Sequence, residues 1–174
     1  MADMTFNTTS GATVGRELLL LFLNTGTTSS PTWSVIGKRV EDSSMEFDWG
    51  EETKNDILGN TYTTLKKPII TQTFDPCELD AGDTAQMKIW NAAIKDRDVA
   101  ALESMDMLVV HCYAGTASTA MFAERYAACA VKPSGLGGSA NIGMPIDVTF
   151  GGVRTTGTAA IAAGVATFTE GSAA

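Results

Sequence analysis

The sequence predicts a mainly β protein carrying one helix. Three observations point to that class. Apolar and polar residues alternate strictly over Met45–Trp49 and again over Ile142–Phe150, the period of a strand with one buried face. Only one stretch has helical period, with Met87, Trp90, Ala93 and Ile94 at i, i+3, i+6 and i+7. Seventeen glycines amid abundant Thr and Ala favour sheets and turns over helices. A length of 174 residues suits one domain able to bury a real core.

Residues 1–15 are small, polar and Gly-bearing, and predict a flexible arm. A single domain is expected over 16–170, with 171–174 a short C-terminal tail. Arg16 to Asn24 is a continuous apolar run between Gly15 and the Thr25–Pro31 turn cluster, the pattern of a strand buried on both faces. Trp33 to Glu41 reads as the next strand. Met45, Phe47 and Trp49 then form an apolar face, with Glu46 and Asp48 opposite. An acidic loop over Asp42–Asn55 is expected to join two extended segments. Asp56–Asn60 reads as a turn into a long Thr-rich run from Thr61 to Phe74. Pro68 lies inside that run, so it must be kinked, bulged or on an edge.

The helix is expected to begin at Asp83 or Thr84, either able to cap it, and to end around Lys95–Asp98. Its Met87–Ile94 stripe is expected to face the core, and a further helical turn is expected over Val99–Leu102. Strands follow at Met107–Tyr113, Met121–Val131 and Ile142–Phe150. Gly151-Gly152 interrupts the last of these. A hairpin is expected at Gly157, with Thr158–Thr169 as the final strand. The expected packing residues are Trp33, Phe47, Trp49, Trp90 and Phe150.

The net charge of −8 argues against bound nucleic acid, which needs clustered Lys and Arg. The acids are unevenly placed. Glu41, Asp42, Glu46, Asp48, Glu51, Glu52 and Asp56 face only Lys54, and four more lie between Asp75 and Asp83 with no base. Such a cluster is either a solvated loop or a deliberate negative field. The cysteines Cys77, Cys112 and Cys129 have no CxxC spacing, so buried reduced thiols are expected. No leader-like segment opens the chain, and Leu18–Leu23 is too short to cross a bilayer. The expectation is a protein made in a reducing cytoplasm, or assembled from there, without a membrane anchor.

Catalytic patterns are absent. His111, the single histidine, neighbours Cys112 in a strand, so the two side chains diverge and cannot share a metal. A structural role is expected for it. No GxSxG elbow exists to support a serine nucleophile. Gly135–Ala140 fits a relaxed GxGxxA, but a strand containing Pro145 follows where a dinucleotide site needs a helix. Asp96-Arg97-Asp98 begins like a calcium loop and lacks its glycine and closing Glu. The carboxylate pairs Glu46/Asp48 and Glu51/Glu52 have no aromatic cleft to serve. No enzyme activity, cofactor or metal is expected.

The order Trp33-x-x-Ile36-Gly37, Val40-Glu41, Glu46-x-Asp48, Asp56-Ile57-Leu58-Gly59, then a Pro68 strand ending Phe74-Asp75-Pro76 resembles the tail tube (major tail) proteins of long-tailed bacteriophages. The resemblance extends over roughly residues 16–170 and is carried by the order and spacing of short motifs. It implies a β-sandwich or barrel-like core with a flanking helix. Six subunits would form a ring, each lending strands to one ring-wide inner β-barrel, and rings would stack into a tube. Implied partners are further copies of the chain, a tape-measure protein, a baseplate or initiator and a terminator. DNA would pass through without specific binding. The implied location is the virion, after synthesis in the bacterial host cytoplasm. The Asp42–Asn55 passage would reach a neighbour and order on assembly. Glu46, Asp48, Glu51 and Glu52 are the candidate lumen or inter-ring acids.

Two other classes share these features. A non-enzymatic β-sandwich binding module, carbohydrate-binding or adhesin-like, would be a stable monomer with exposed aromatics on a concave face. Pilus-like or secretion-tube proteins also build tubes, although the short Leu18–Leu23 run disfavours a pilin.

Overall fold

The computed structural model describes residues 4–171; residues 1–3 and, apart from Gly171, the expected tail lie outside the described residues. One 3-10 turn, Arg16–Leu18, precedes β1 (Leu19–Asn24). There follow β2 (Trp33–Ile36), β3 (Met45–Asp48), β4 (Glu52–Asn55), β5 (Thr61–Thr64) and β6 (Ile69–Phe74). Helix α1 (Thr84–Trp90) runs on through a π turn, Asn91–Lys95, and α2 (Val99–Glu103) follows. The chain ends with β7 (Met105–Thr116), β8 (Ala120–Pro133), β9 (Ile146–Phe150), β10 (Arg154–Ala162) and β11 (Val165–Glu170).

Six strands close into an antiparallel barrel in the order β10-β11-β2-β1-β7-β8, with β8 pairing back onto β10. The seam between β11 and β2 is a single pair, Ala166 with Trp33. A six-stranded barrel is narrower than the eight strands whose interior side chains just fill. Its contents match that limit: Phe22, Trp33, Leu108, Val110 and Met121 share the space with Ala123, Ala159 and Ala166. The Ala-rich strands are therefore a packing requirement. Arg125 makes a two-pronged contact with Asp106 (2.9 and 2.7 Å) and lies over the Trp33 ring at 5.9 Å.

Strand β8 is long because it serves two sheets. Its first half pairs with β10, and Ala130–Pro133 pair with β9. From there β9, β6 and β3 extend as a wing. The division falls at Ala128, where a Cβ on Gly151 would sit 2.6 Å from the Ala128 carbonyl oxygen and one on Gly152 2.7 Å from its nitrogen. Glycines at both positions let the β9–β10 connection cross β8 there. The second and larger core fills the space between barrel wall, wing and α1, with Leu21, Leu23, Phe74, Ile89, Met107, Val109, Ile146 and Val148 at its centre. Residues of β1 thus enter both cores, as expected of a strand buried on both faces.

Several sequence expectations change. The stretch expected as one strand from Trp33 to Glu41 ends at Ile36, because Gly37 (φ 121°) and Arg39 (φ 58°) turn the chain. The Asp42–Asn55 passage is two strands rather than a loop, and Thr61–Phe74 is two strands parted at Leu65–Pro68. The final hairpin turns at Ala163-Gly164, both at positive φ, not at Gly157. Gly157 lies inside β10, where a Cβ would approach the Thr169 carbonyl to 2.2 Å.

Asp83 caps α1, accepting from Ala85 N and Gln86 N. The helix does not bury the predicted stripe. Ala85, Gln86, Ile89 and Ala92 face the core, while Met87 and Ile94 are exposed and Trp90 is half-buried. Small residues allow close approach to the strands, and Gln86 is claimed by the preceding loop. It donates to Cys77 Sγ and the Glu78 carbonyl and accepts from Asp80 N. The segment expected as a free N-terminal arm is also anchored: Phe6 bridges to Ala114 and meets Tyr113 edge-on, and Asn7 bonds the Cys112 and Gly115 carbonyls.

Candidate assembly surfaces

Strands β3 and β4 run outward and β5 and β6 return, paired as β3 with β6 and β4 with β5. A bond from Lys66 N to Trp49 O joins the two tiers. Gly50 at positive φ and the Leu65–Pro68 irregularity accommodate a change of register there, and this is where Pro68 is tolerated. The outer tier is an arm in which every residue from Glu51 to Lys67 is exposed. Local contacts shape it: Thr53 with Thr63, Thr61 with Asn55, and Lys54 with Glu52. At the tip, Asp56 accepts from Leu58 N, Asn60 N and Asn60 Nδ2. These bonds, led by the Asn60 side chain, hold its carboxyl below the usual range. The turn presents Ile57 and Leu58 at 102% and 81% exposure.

Phe47 and Trp49 do not pack inward as expected. They lie on the core-facing side of the wing, as the alternation requires, but beyond the edge of the core, and each is about half exposed. Phe47, Ile70 and Phe150 form a row across β3, β6 and β9. Phe47 stacks on Trp49 with centroids 6.3 Å apart, and Phe150 meets Tyr126 at 5.0 Å. These aromatics line a cleft of about 570 Å³ that also takes in Lys67, Glu124 and Arg154. Of the other packing candidates, Trp33 and Phe150 are buried and Trp90 is half-buried.

The opposite face of the wing is polar. Glu46 and Asp48 share it with Thr71, Thr73, Asp147, Thr149 and Lys132, as the register places them. Thr73 Oγ1 donates to Asp147 Oδ1 at 3.1 Å. Asp48 also accepts from Gly50 N. Glu51 and Glu52 belong to the arm instead, so the four acids proposed together from sequence divide between two surfaces. Asp147, opposite Thr73 and Lys132, is a further acid on this face that sequence reasoning did not single out, although the Ile146–Phe150 alternation carried the signal. The outer edge of β3 has no strand partner among the described residues.

One ionisable network adjoins the cleft. His111 Nε2 lies 3.3 Å from Glu124 Oε2 and Nδ1 lies 2.8 Å from Tyr113 Oη. Which ring nitrogen carries the proton sets the direction of each bond. Arg154 grips Glu124 Oε1 through two nitrogens. Burial opposes charge on Glu124, but these hydrogen bonds and the charges behind them hold its carboxyl below the usual range. Burial pushes the Cys129 thiol up to about 12, so it is a poor nucleophile. Among the described residues no three His, Cys, Asp or Glu side chains are grouped to hold a metal ion, and no helix is long and apolar enough to cross a membrane.

No family model and no curated protein matches the sequence. Solved structures with a similar chain path come from contractile injection systems. One is the sheath–tube complex of the extracellular contractile injection system PVC in its extended state: 11% identity, 84% of this chain and 93% of that chain covered, TM-score 0.49. The tube-terminating cap of the anti-feeding prophage gives 16% identity, 87% and 95% coverage and a TM-score of 0.45. The PVC sheath/tube terminator in its extended state gives 13%, 85% and 99%, and 0.47. Each is a coarse likeness of fold between dissimilar sequences.

Proposed function

We propose that this chain is a non-enzymatic structural subunit of a phage-type tail tube. Copies assemble into rings of six that stack into a conduit for DNA, in company with tape-measure, initiator and terminator proteins, and the location is the virion. One observation carries the reading: the arm over Glu51–Lys67 is wholly exposed and ends in two exposed aliphatic residues. A lone two-stranded hairpin is marginal in water, and apolar side chains at its tip gain nothing from the subunit's own fold. Both become stabilising where the arm lies against another molecule. The open edge of β3 adds a second joining element, because neighbouring copies can continue the wing sheet across it.

The wing's polar face then lines the bore. Glu46, Asp48 and Asp147 outnumber Lys132, and a negative wall repels a duplex that must slide rather than bind. Electron microscopy of the purified protein at high concentration tests the assembly. Hollow tubes of uniform width are expected. Their loss is expected when Glu51–Lys66 is replaced by a two-residue turn, with the fold retained by circular dichroism. A wild-type protein that stays monomeric across salt and pH would refute the reading.

A second reading, a carbohydrate-binding or adhesin-like module, draws on the half-exposed Phe47–Trp49 pair over its cleft. It requires a stable monomer whose glycan binding is lost in Trp49→Ala.

A further inference from the structure

We infer that the cleft beneath Phe47 and Trp49 receives the Ile57–Leu58 tip of a second copy of the chain. The inference rests on the tube reading and names the partner surface of its arm. The cleft is an unfinished corner of the larger core. Ile70, Phe150 and Tyr126 supply its floor, and Phe47 and Trp49 overhang it with half their surface in water. At about 570 Å³ it falls within the ~300–1,000 Å³ range of ligand pockets, ample for two aliphatic side chains.

Two features select the occupant. The first is reach. Tip and cleft lie at opposite ends of one arm, and the eight steps from Trp49 to Ile57 span roughly 25 Å as strand. An arm held extended by the β4–β5 pairing cannot fold its tip back onto its own base. The tip must enter another copy, and such a head-to-tail contact propagates into a ring or filament.

The second is charge. The tip carries Asp56 and no base; along the rest of the arm Glu51 and Glu52 are matched by Lys54, Lys66 and Lys67, so acid is uncompensated only at the tip. In the cleft Glu124 and Arg154 offset each other, and Lys67 leaves the rim positive. The competing apolar groove of about 490 Å³, lined by Leu79, Met87, Trp90 and Ile142, lacks a positive rim. There Arg39 is offset by Asp80 on the rim and paired with Glu78 beside it, so an acidic tip finds no free positive charge.

The test mixes copies that each carry one added cysteine. Leu58→Cys is combined with Val153→Cys, an exposed position between the cleft residues Gly152 and Arg154, in one mixture and with Met87→Cys in another. Both are treated with a short bis-maleimide under assembly conditions, and the linked peptides are identified by mass spectrometry, which separates them from links to native cysteines. A dominant 58–153 link is expected in the first mixture and little 58–87 link in the second. Tubes that link 58 to 87 but not to 153 would overturn the docking assignment and leave the tube reading standing. Absence of both links in a protein that forms no tubes would overturn both. As a second readout, Trp49→Ala is expected to raise the concentration needed for assembly at least tenfold while the monomer's melting temperature stays within a few degrees. An unchanged assembly threshold would also count against the cleft.

Discussion

The tip of the arm separates stability from assembly more sharply than any other site. Ile57 and Leu58 are 102% and 81% exposed, so the double change Ile57→Ser, Leu58→Ser removes almost no buried surface from the monomer. Surface substitutions of this kind shift folding free energy by no more than about 0.5 kcal/mol. Asp56 still caps the turn through its bonds to Leu58 N and Asn60, which are independent of the two side chains. In the assembled state the arithmetic differs. Fully burying an aliphatic side chain is worth about 1.5–3 kcal/mol, so two contribute about 1.5–3 kcal/mol together even if each is only half covered. At 1.4 kcal/mol per factor of ten, that is a rise of about 10- to 100-fold in the concentration at which tubes appear. Sedimentation velocity across a dilution series measures that threshold, and thermal unfolding of the monomer supplies the control. A threshold within threefold of wild type would refute the claim that the tip is buried between copies. A fall of more than a few degrees in monomer Tm would refute the claim that it is idle in the lone chain.

Other predictions follow from the same geometry. Glu124 titrates below its ordinary value of 4.5 in the folded chain, so the stability it contributes is complete above that value and lost as pH falls through the lower, folded pKa. Glu124→Gln should therefore cost about 1–3 kcal/mol at pH 7 and flatten the acid limb of a pH series of urea midpoints; a parallel acid limb in the two proteins would contradict it. Gly157→Ala places a Cβ 2.2 Å from the Thr169 carbonyl oxygen and 2.9 Å from the Phe168 ring, and overpacking of that kind costs about 1–3 kcal/mol by chemical denaturation. Neutralising Glu46, Asp48 and Asp147 together as amides should leave tube width and assembly threshold unchanged but slow DNA delivery; normal delivery by the triple variant would remove their proposed role.

What the sequence discloses follows from how local each determinant is. Alternation in Ile146–Phe150 and the Asp56–Gly59 turn are local, and both are present where the residues point. Pro68 likewise marks a break that the backbone must make somewhere nearby. The closed barrel is not local. Its defining contacts, β8 with β10 and Ala166 with Trp33, join residues far apart in the chain, and Ala123, Ala159 and Ala166 look featureless until the narrow interior they fill is known. The helix misleads for a related reason. Hydrophobic size picks out Met87, Trp90 and Ile94, whereas close approach to the strands selects Ala85, Ile89 and Ala92, and Gln86 is buried by the loop it ties down. Phe47 and Trp49 expose the limit most plainly. Alternation assigns them to the core face, and they are on it, but no period reveals that the core ends before reaching them.

That shortfall bears on function. A strand whose apolar face outruns its own core has surface that a single copy leaves uncovered, and the same strand continues into an arm whose tip is likewise uncovered. The acids divide along the same line. Glu46 and Asp48 stand on the polar face of the wing, with Asp147 and a row of threonines, whereas Glu51, Glu52 and Asp56 travel outward with the arm. One acidic run in sequence therefore supplies two fields. The first has only Ile69 and the small Ala130 as apolar neighbours and suits a wall that a polyanion passes. The second is coupled to an apolar tip and suits a plug steered toward a positive rim. High salt distinguishes them. Screening at 1 M shortens the Debye length to about 3 Å, which should weaken the steering of the arm while strengthening burial of its tip. Assembly should thus slow in its early rate but reach an equal or greater extent. Assembly driven mainly by charge would fall in both.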